Sequence, residues 1–183
     1  MTIKKKKSAA GHAPALLNQA LGSRVNRCFG CGPANSYGLK LRFRLDHETN
    51  TTIARVKLTS RYEGPPGHIH GGILATLLDE AMGKVNKLFD TVSMTRHMEI
   101  EYLRPSPLNQ THTVIGRFVR RDGRKMFMEG EVRNEAGEVL VRSKGLFIII
   151  DPVALFARQT RHRIDGACPV AVPDKRRPTH KQA

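Results

Sequence analysis

Aromatic residues are scarce, at 5% of the 183-residue chain with no tryptophan. No basic patch is interleaved with aromatics in the way nucleic-acid stacking surfaces require. No apolar run reaches the roughly 18 residues of a membrane-spanning helix. The amino end opens on Lys4 to Lys7 and then on short, broken apolar stretches, not on the continuous apolar core of a secretory signal. Three cysteines, Cys28, Cys31 and Cys168, do not make a disulfide framework. These absences set the expectation of a reducing, cytoplasmic location without a transmembrane segment.

Acidic residues are few, and their distribution is uneven. The net charge is +15. Residues 1–27 hold six Lys and Arg and no acid, and residues 153–183 hold seven against two acids, so the tails contribute +6 and +5. The remaining 18 basic and 14 acidic residues give +4 to the 125 residues between. Charged, Pro-containing tails poor in apolar residues cannot offset their ordering entropy. The expected organisation is therefore one domain over residues 28–152 between basic, largely disordered segments 1–27 and 153–183. A short helix over 13–27, with Leu16, Leu17, Leu21 and Val25, is the one ordered element foreseen there. The tail charge favours solubility and crude attraction to polyanions, not specific nucleic-acid binding.

What is present is strongly patterned. Leu39, Leu41, Phe43 and Leu45 alternate with Lys40, Arg42 and Arg44, which predicts a half-buried strand. Thr52 to Leu58 alternates too and stops at Gly64-Pro65-Pro66-Gly67. From Gly71 to Phe89 the apolar residues Ile73, Leu74, Leu77, Leu78, Ala81, Met82, Val85, Leu88 and Phe89 gather on one half of a helical projection, opposite Thr76, Asp79, Glu80, Gly83, Asn86 and Lys87. An arc that wide predicts a helix lying deep against a sheet. Strands are expected near 93–103, 111–121, 125–134 and 138–150, the last three joined as hairpins by Asp122-Gly123 and the turn at Asn134 to Gly137. Arg104-Pro105-Ser106-Pro107 ends the strand before them. One helix among six strands does not fit βαβ alternation. The fold class is α+β, a curved antiparallel sheet around one central helix.

His70-Gly71-Gly72 opens that helix. Unpaired N–H groups and the dipole at a helix start favour developing negative charge, and glycine lets a carbonyl approach closely. Asp79 lies on the polar arc with the small residues Ala75, Thr76 and Gly83 as helical neighbours, leaving room for a ligand. Glu80 instead has Lys84 four residues on as an ion-pair partner. Gly71 and Asp79 are about 12 Å apart along one helix. A carbonyl-binding amide and a base acting on one bond at that spacing must come from two chains, which calls for a dimer with antiparallel central helices.

The run His70-Gly71-Gly72-Ile73-Leu74-Ala75-Thr76-Leu77-Leu78-Asp79-Glu80-Ala81 resembles the helix motif of hotdog-fold thioesterases of the PaaI-like and thioesterase-superfamily-member type. Cys28-Phe29-Gly30-Cys31-Gly32-Pro33-Ala34-Asn35, with Gly38-Leu39, resembles the opening of such domains, and Arg104-Pro105 fits as well. The resemblance covers about residues 27–151. It implies a hotdog fold and hydrolysis of acyl-coenzyme A thioesters to the free acid and coenzyme A. It gives the Gly71 amide, helped by Gly72, the role of polarising the carbonyl, and Asp79 that of general base or nucleophile. Thr95 would orient water, and His70 would shape the helix start. Some relatives carry an Asn or Gln shortly before the HGG. Here that loop reads Glu63-Gly64-Pro65-Pro66-Gly67-His68-Ile69, without such an amide.

Coenzyme A is polyphosphorylated, and Arg120, Arg121, Arg124 and Lys125 around the Asp122-Gly123 turn are the candidate phosphate contacts. The expected assembly is a homodimer with shared active sites, alone or doubled into a dimer of dimers. No cofactor or metal is called for, since a carboxylate and helix amides suffice for attack by water. Cys28 and Cys31 form half a zinc site at most, because no second Cys-x-x-Cys exists and recruiting His68 and His70 conflicts with the helix start. Met126 and Met128 read as core or sheet-face residues. The rival on the same fold is a non-catalytic acyl-coenzyme A binder.

Overall fold

A computed structural model of the protein describes residues 26–155. The foreseen helix over 13–27, nearly all of both basic segments, and Cys168 lie outside the described residues. The order of elements is β1 (Arg44–Asp46), β2 (Thr51–Lys57), α1 (Gly71–Val85), β3 (Ser93–Tyr102), β4 (Thr111–Asp122), β5 (Lys125–Arg133) and β6 (Val139–Ile149). The strands form one antiparallel sheet in the order β1-β2-β4-β5-β6-β3. The sheet wraps α1, as the hotdog resemblance implies. Among the described residues no helix is long and apolar enough to cross a membrane.

α1 starts where the sequence pattern places it. His70 is extended and its Nδ1 accepts from the Gly72 N–H at 2.9 Å, a side-chain cap on the helix start. Leu74, Leu77, Leu78, Ala81, Met82 and Val85 are buried against Val114, Met126, Met128, Val132, Val141 and Phe147 of the sheet. Each fully buried leucine contributes about 1.5–3 kcal/mol of transfer free energy, so the wide apolar arc of α1 anchors the domain. Met126 and Met128 are core residues, as read from the sequence. The position of α1 along the sheet is fixed at Gly116, where a Cβ would fall on the Ala81 carbonyl. The Ala81 oxygen in turn accepts from Thr52 Oγ1 at 2.7 Å.

Three expectations need correction. The Leu39–Leu45 strand shrinks to β1, because Lys40 sits at φ 51 and interrupts the extended backbone. Its amides go elsewhere: Leu39 N–H bonds the Phe29 carbonyl at 2.8 Å and Leu41 N–H the Gly30 carbonyl at 2.9 Å. The alternation still marks burial, since Leu41 is buried and Leu39 and Phe43 pack on the core. Second, the helical run to Phe89 tightens after Val85 into a 3-10 turn over Asn86–Phe89, closed by Asp90 at φ 48. Third, Asn86 is buried, not on the polar face. Its amide donates to the Gly83 carbonyl at 3.0 Å and to Ser93 Oγ at 2.6 Å, which ties the helix end to the first residue of β3.

Both expected hairpins form. Gly123 sits at φ 54 in the two-residue turn between β4 and β5, a position suited to glycine. Gly137 at φ 83 serves the turn before β6, where Asn134 N–H bonds the Glu138 carbonyl at 3.1 Å.

Candidate active site

β3 carries an irregularity that places the site. Thr95 pairs with Phe147 and His97 with Leu146, so Arg96 is an extra residue. Directly paired residues of an antiparallel ladder share a face. Phe147, Gly145, Ser143 and Val141 are buried, and their partners are Thr95, Met98, Ile100 and Tyr102. An unbroken strand would send odd-numbered Thr95 and the even-numbered residues to opposite faces. The bulge brings both sets to the helix side.

Two contacts follow. Thr95 Oγ1 donates to Asp79 Oδ1 at 2.6 Å, and Tyr102 Oη donates to the Gly71 carbonyl at 3.1 Å. Asp79 is half-buried and forms no ion pair among the described residues. With Thr95 it lines an open recess of about 400 Å³, walled also by Glu80, Gly83, Lys84, Ser93, Met94 and Phe147. The small neighbour expected at Gly83 thus leaves real space. Glu80 pairs with Lys84 at 3.2 Å, as its spacing suggested.

The two glycines at the helix start differ. The Gly72 amide is occupied by His70, whereas the Gly71 N–H has no acceptor among the described residues. Gly71 and Asp79 stand at opposite ends of one helix stretch, about 12 Å apart. The loop before the helix supplies no side-chain amide; Glu63 Oε1 accepts from Gly67 N–H at 2.6 Å, and His68 Nδ1 meets the Pro66 carbonyl at 2.8 Å.

The four basic candidates cluster at the β4–β5 turn. The Arg120 guanidinium stacks on the Phe127 ring at 3.5 Å, Arg121 Nε donates to the Gly123 carbonyl at 2.8 Å, and Arg124 Nε donates to the Ile149 carbonyl at 3.0 Å. Lys125 is exposed and lies in the same cross-sheet row as Ile148 and Met94, so about 10 Å of sheet separates it from the recess. Sequence reading missed Tyr102, Asn86 and Ser93. Each acts through a partner remote in sequence or across a turn, and none carries a local pattern of its own.

A sheet wrapped on one helix, with a helix-face carboxylate held by a hydroxyl from the neighbouring strand, defines a hotdog-fold domain. The family model described as "Thioesterase superfamily" matches residues 66–141. Acyl-coenzyme A thioesterase THEM4 of Bos taurus is 34% identical over 91 residues, which are 49% of this chain and 37% of that protein. This chain therefore spans well under half the length of the curated relatives it matches. A solved thioesterase superfamily protein is 34% identical with a TM-score of 0.64, the match covering 73% of this chain and 67% of that one. A thioesterase protein from Streptococcus pneumoniae TIGR4, solved with coenzyme A, shares the fold at 21% identity and a TM-score of 0.54, covering 60% of this chain and 87% of that one. The chain belongs to the thioesterase superfamily.

Proposed function

We propose that the protein hydrolyses acyl-coenzyme A thioesters. The observation that carries this reading is the Asp79 carboxylate, held at 2.6 Å by Thr95 and in no ion pair among the described residues, at an open recess whose wall also includes Glu80 and Lys84. A carboxylate in that state accepts a proton from water, or attacks a carbonyl itself. The name of the THEM4 relatives and the coenzyme A bound by the pneumococcal protein support the substrate class. In the general-base route, Asp79 takes a proton as water oxygen bonds to the thioester carbon. The Gly71 N–H stabilises the charge growing on the carbonyl oxygen. Collapse breaks the C–S bond, and the proton passes from Asp79 to the departing sulfur. In the nucleophilic route Asp79 attacks the thioester carbon, the C–S bond breaks to release the thiolate, and water then cleaves the mixed anhydride to the free acid and regenerated Asp79, its proton neutralising the thiolate. Thr95 orients the carboxylate and water, and His70 holds the helix start while occupying the Gly72 amide.

The active unit is a homodimer. β3 is an edge strand ten residues long, and Met94 and Tyr102 on it, with Leu103 just beyond, are exposed. Such an edge invites pairing. Antiparallel pairing of two β3 strands about a two-fold axis sets the Tyr102 end of one beside the Thr95 end of the other. That places Gly71 of one chain near Asp79 of its partner. Arg120, Arg121, Arg124 and Lys125 keep free donors for the coenzyme A phosphates, and substrate affinity should fall with salt accordingly.

The test is free-thiol release from short, long and aromatic acyl-coenzyme A esters by wild type and Asp79→Asn. Turnover that disappears in a folded Asp79→Asn dimer is expected. Tight acyl-coenzyme A binding by wild type without turnover on any ester would replace this reading by that of a binder.

A further inference from the structure

The Cys28-x-x-Cys31 pair gains a third ligand in the fold. Cys28 Sγ donates to Glu80 Oε1 at 3.1 Å, and the sulfurs and the carboxylate oxygen of Cys28, Cys31 and Glu80 all lie within 4.8 Å of one another. We infer that Cys28, Cys31 and Glu80 form a binding site for one borderline-soft divalent cation of the zinc class, with Lys84 as its countercharge.

The donor set fits such an ion in kind and in spacing. Two thiolates and a carboxylate are ligands of zinc-class ions. In a tetrahedron with metal–sulfur bonds near 2.3 Å and metal–oxygen bonds near 2.1 Å, donor atoms stand about 3.6–3.8 Å apart. The present cluster brackets that spacing, with Cys28 Sγ and Glu80 Oε1 at 3.1 Å and every donor within 4.8 Å of the others, so side-chain shifts of about an ångström or less complete it. Cys28 is exposed, so solvent can supply the fourth ligand.

The charges close as well. Two thiolates, one carboxylate and a divalent cation sum to −1, and the Lys84 ammonium brings the cluster to zero. Lys84 Nζ already donates to Cys31 Sγ at 2.9 Å and lies 3.2 Å from Glu80 Oε2. It makes that second contact without a hydrogen bond, and Glu80 Oε2 is buried with no hydrogen-bond partner. The Glu80 carboxylate thus meets the Lys84 ammonium through Oε2 and the Cys28 sulfur through Oε1, and Oε1 is the oxygen a cation held by the sulfurs would take.

The backbone is shaped to the cluster. A Cβ at Gly30 would fall on the Glu80 side chain, and one at Gly32 on the Cys28 backbone. The two glycines let the cysteine turn close over the helix, and Gly32 N–H bonds the Cys28 carbonyl at 2.9 Å. Burial pushes the Cys31 thiol up to about 11, against the pull of Lys84. Thiolate is the ligand form of cysteine, so binding releases the thiol protons. His68 and His70 are engaged elsewhere, as described above. The site borders the proposed catalytic recess, whose wall Glu80 and Lys84 share with Asp79. It fastens residues 28–41 to α1 one residue from Asp79.

The test is titration of the full-length chain, reduced and kept anaerobic, with cobalt(II), followed by competition with zinc. One cobalt per chain is expected, with a thiolate-to-cobalt charge-transfer band that zinc abolishes. Cys28→Ser and Cys31→Ser should lose the band, Glu80→Gln should bind at least tenfold more weakly, and Cys168→Ser should match wild type. The idea is overturned by a folded chain with free thiols that shows no band, or by Glu80→Gln binding cobalt as wild type does. A Cys28–Cys31 disulfide that yields no metal binding after reduction would also overturn it and leave the pair a redox clasp.

Discussion

Asp79 and Glu80 are adjacent acids on one helix, and the fold gives them opposite circumstances. Asp79 reaches toward β3, meets one hydroxyl and faces open space. Glu80 reaches toward the cysteine turn, where Lys84 and Cys28 contact it and Gly30 packs on it. A carboxylate beside an ammonium is a poorer base and nucleophile than one held only by a neutral donor. The pair thus separates a side chain available for chemistry from one committed to holding structure. The difference arises because a step of one residue turns about 100° around the helix.

The sharpest way to break this comparison is to neutralise each acid in turn. Asp79→Asn should lower thioester turnover by about 10²- to 10⁴-fold, the range for removing a positioned acid–base group. Its melting temperature should stay near wild type. Glu80→Gln should keep turnover within a few-fold and show its effect in metal binding. Equal losses in the two variants would erase the distinction. Next in size is the amide at the far end of the helix. Gly71→Pro should lower turnover by about 10²- to 10³-fold, because proline fits the first helical position yet has no N–H to offer the carbonyl. Gly71→Ala should be mild, since a Cβ there meets the Tyr102 ring at an ordinary 3.6 Å. Similar activities for the two would show that this amide is unused. Verified heterodimers of Asp79→Asn and Gly71→Pro chains should regain activity through their one intact shared site; absence of rescue would mean each chain works alone.

Much of this contrast is legible in the sequence. The helix period puts Asp79 away from the leucines, the i, i+4 spacing pairs Glu80 with Lys84, and glycine-bearing turns mark both hairpins. These are local signals with fixed geometry. The rest depends on partners far along the chain. Nothing near Arg96 announces a bulge, yet the bulge decides that Thr95 and Tyr102 both face α1. Glu80 lies 49 residues beyond Cys31, so the cysteine pair reads as half a site until the turn folds back over the helix. Leu39 to Leu45 misleads for a related reason. Its alternation records which side chains are buried, while the Leu39 and Leu41 amides bond the cysteine turn and only the end of the run, from Arg44, pairs with β2. Asn86 sits at a polar angle of the helix, but the chain doubles back immediately and buries it under β3.

A smaller effect sharpens the Asp79 side of the comparison. Thr95→Val keeps size and β-branching and removes the donor to Asp79 Oδ1. Turnover should fall about tenfold, equivalent to ~1.4 kcal/mol of lost positioning. Thr95→Ser should restore most of it. A Thr95→Val enzyme as fast as wild type would reduce the hydroxyl to a packing role.

The smallest expected effect governs how any acid limb of activity is read, because the fold has an acid sensitivity of its own. His112 on β4 is fully buried, and burial holds its imidazole below the ordinary histidine range, with the Gln110 backbone and then Glu135 offsetting only part of the shift. The folded chain then resists protonation while the unfolded chain accepts it near pH 6.5. Above that pH both states are neutral at this site and its full contribution to stability is present. As pH falls from there toward the folded value, the unfolded state binds the extra proton and stability declines, by up to about 1.4 kcal/mol per pH unit. His112→Leu should flatten the fall in melting temperature between pH 7 and 5 and leave Asp79-dependent turnover at pH 7 unchanged. If variant and wild type lose stability in parallel, His112 is not the sensor, and an acid limb in the rate belongs to the site itself.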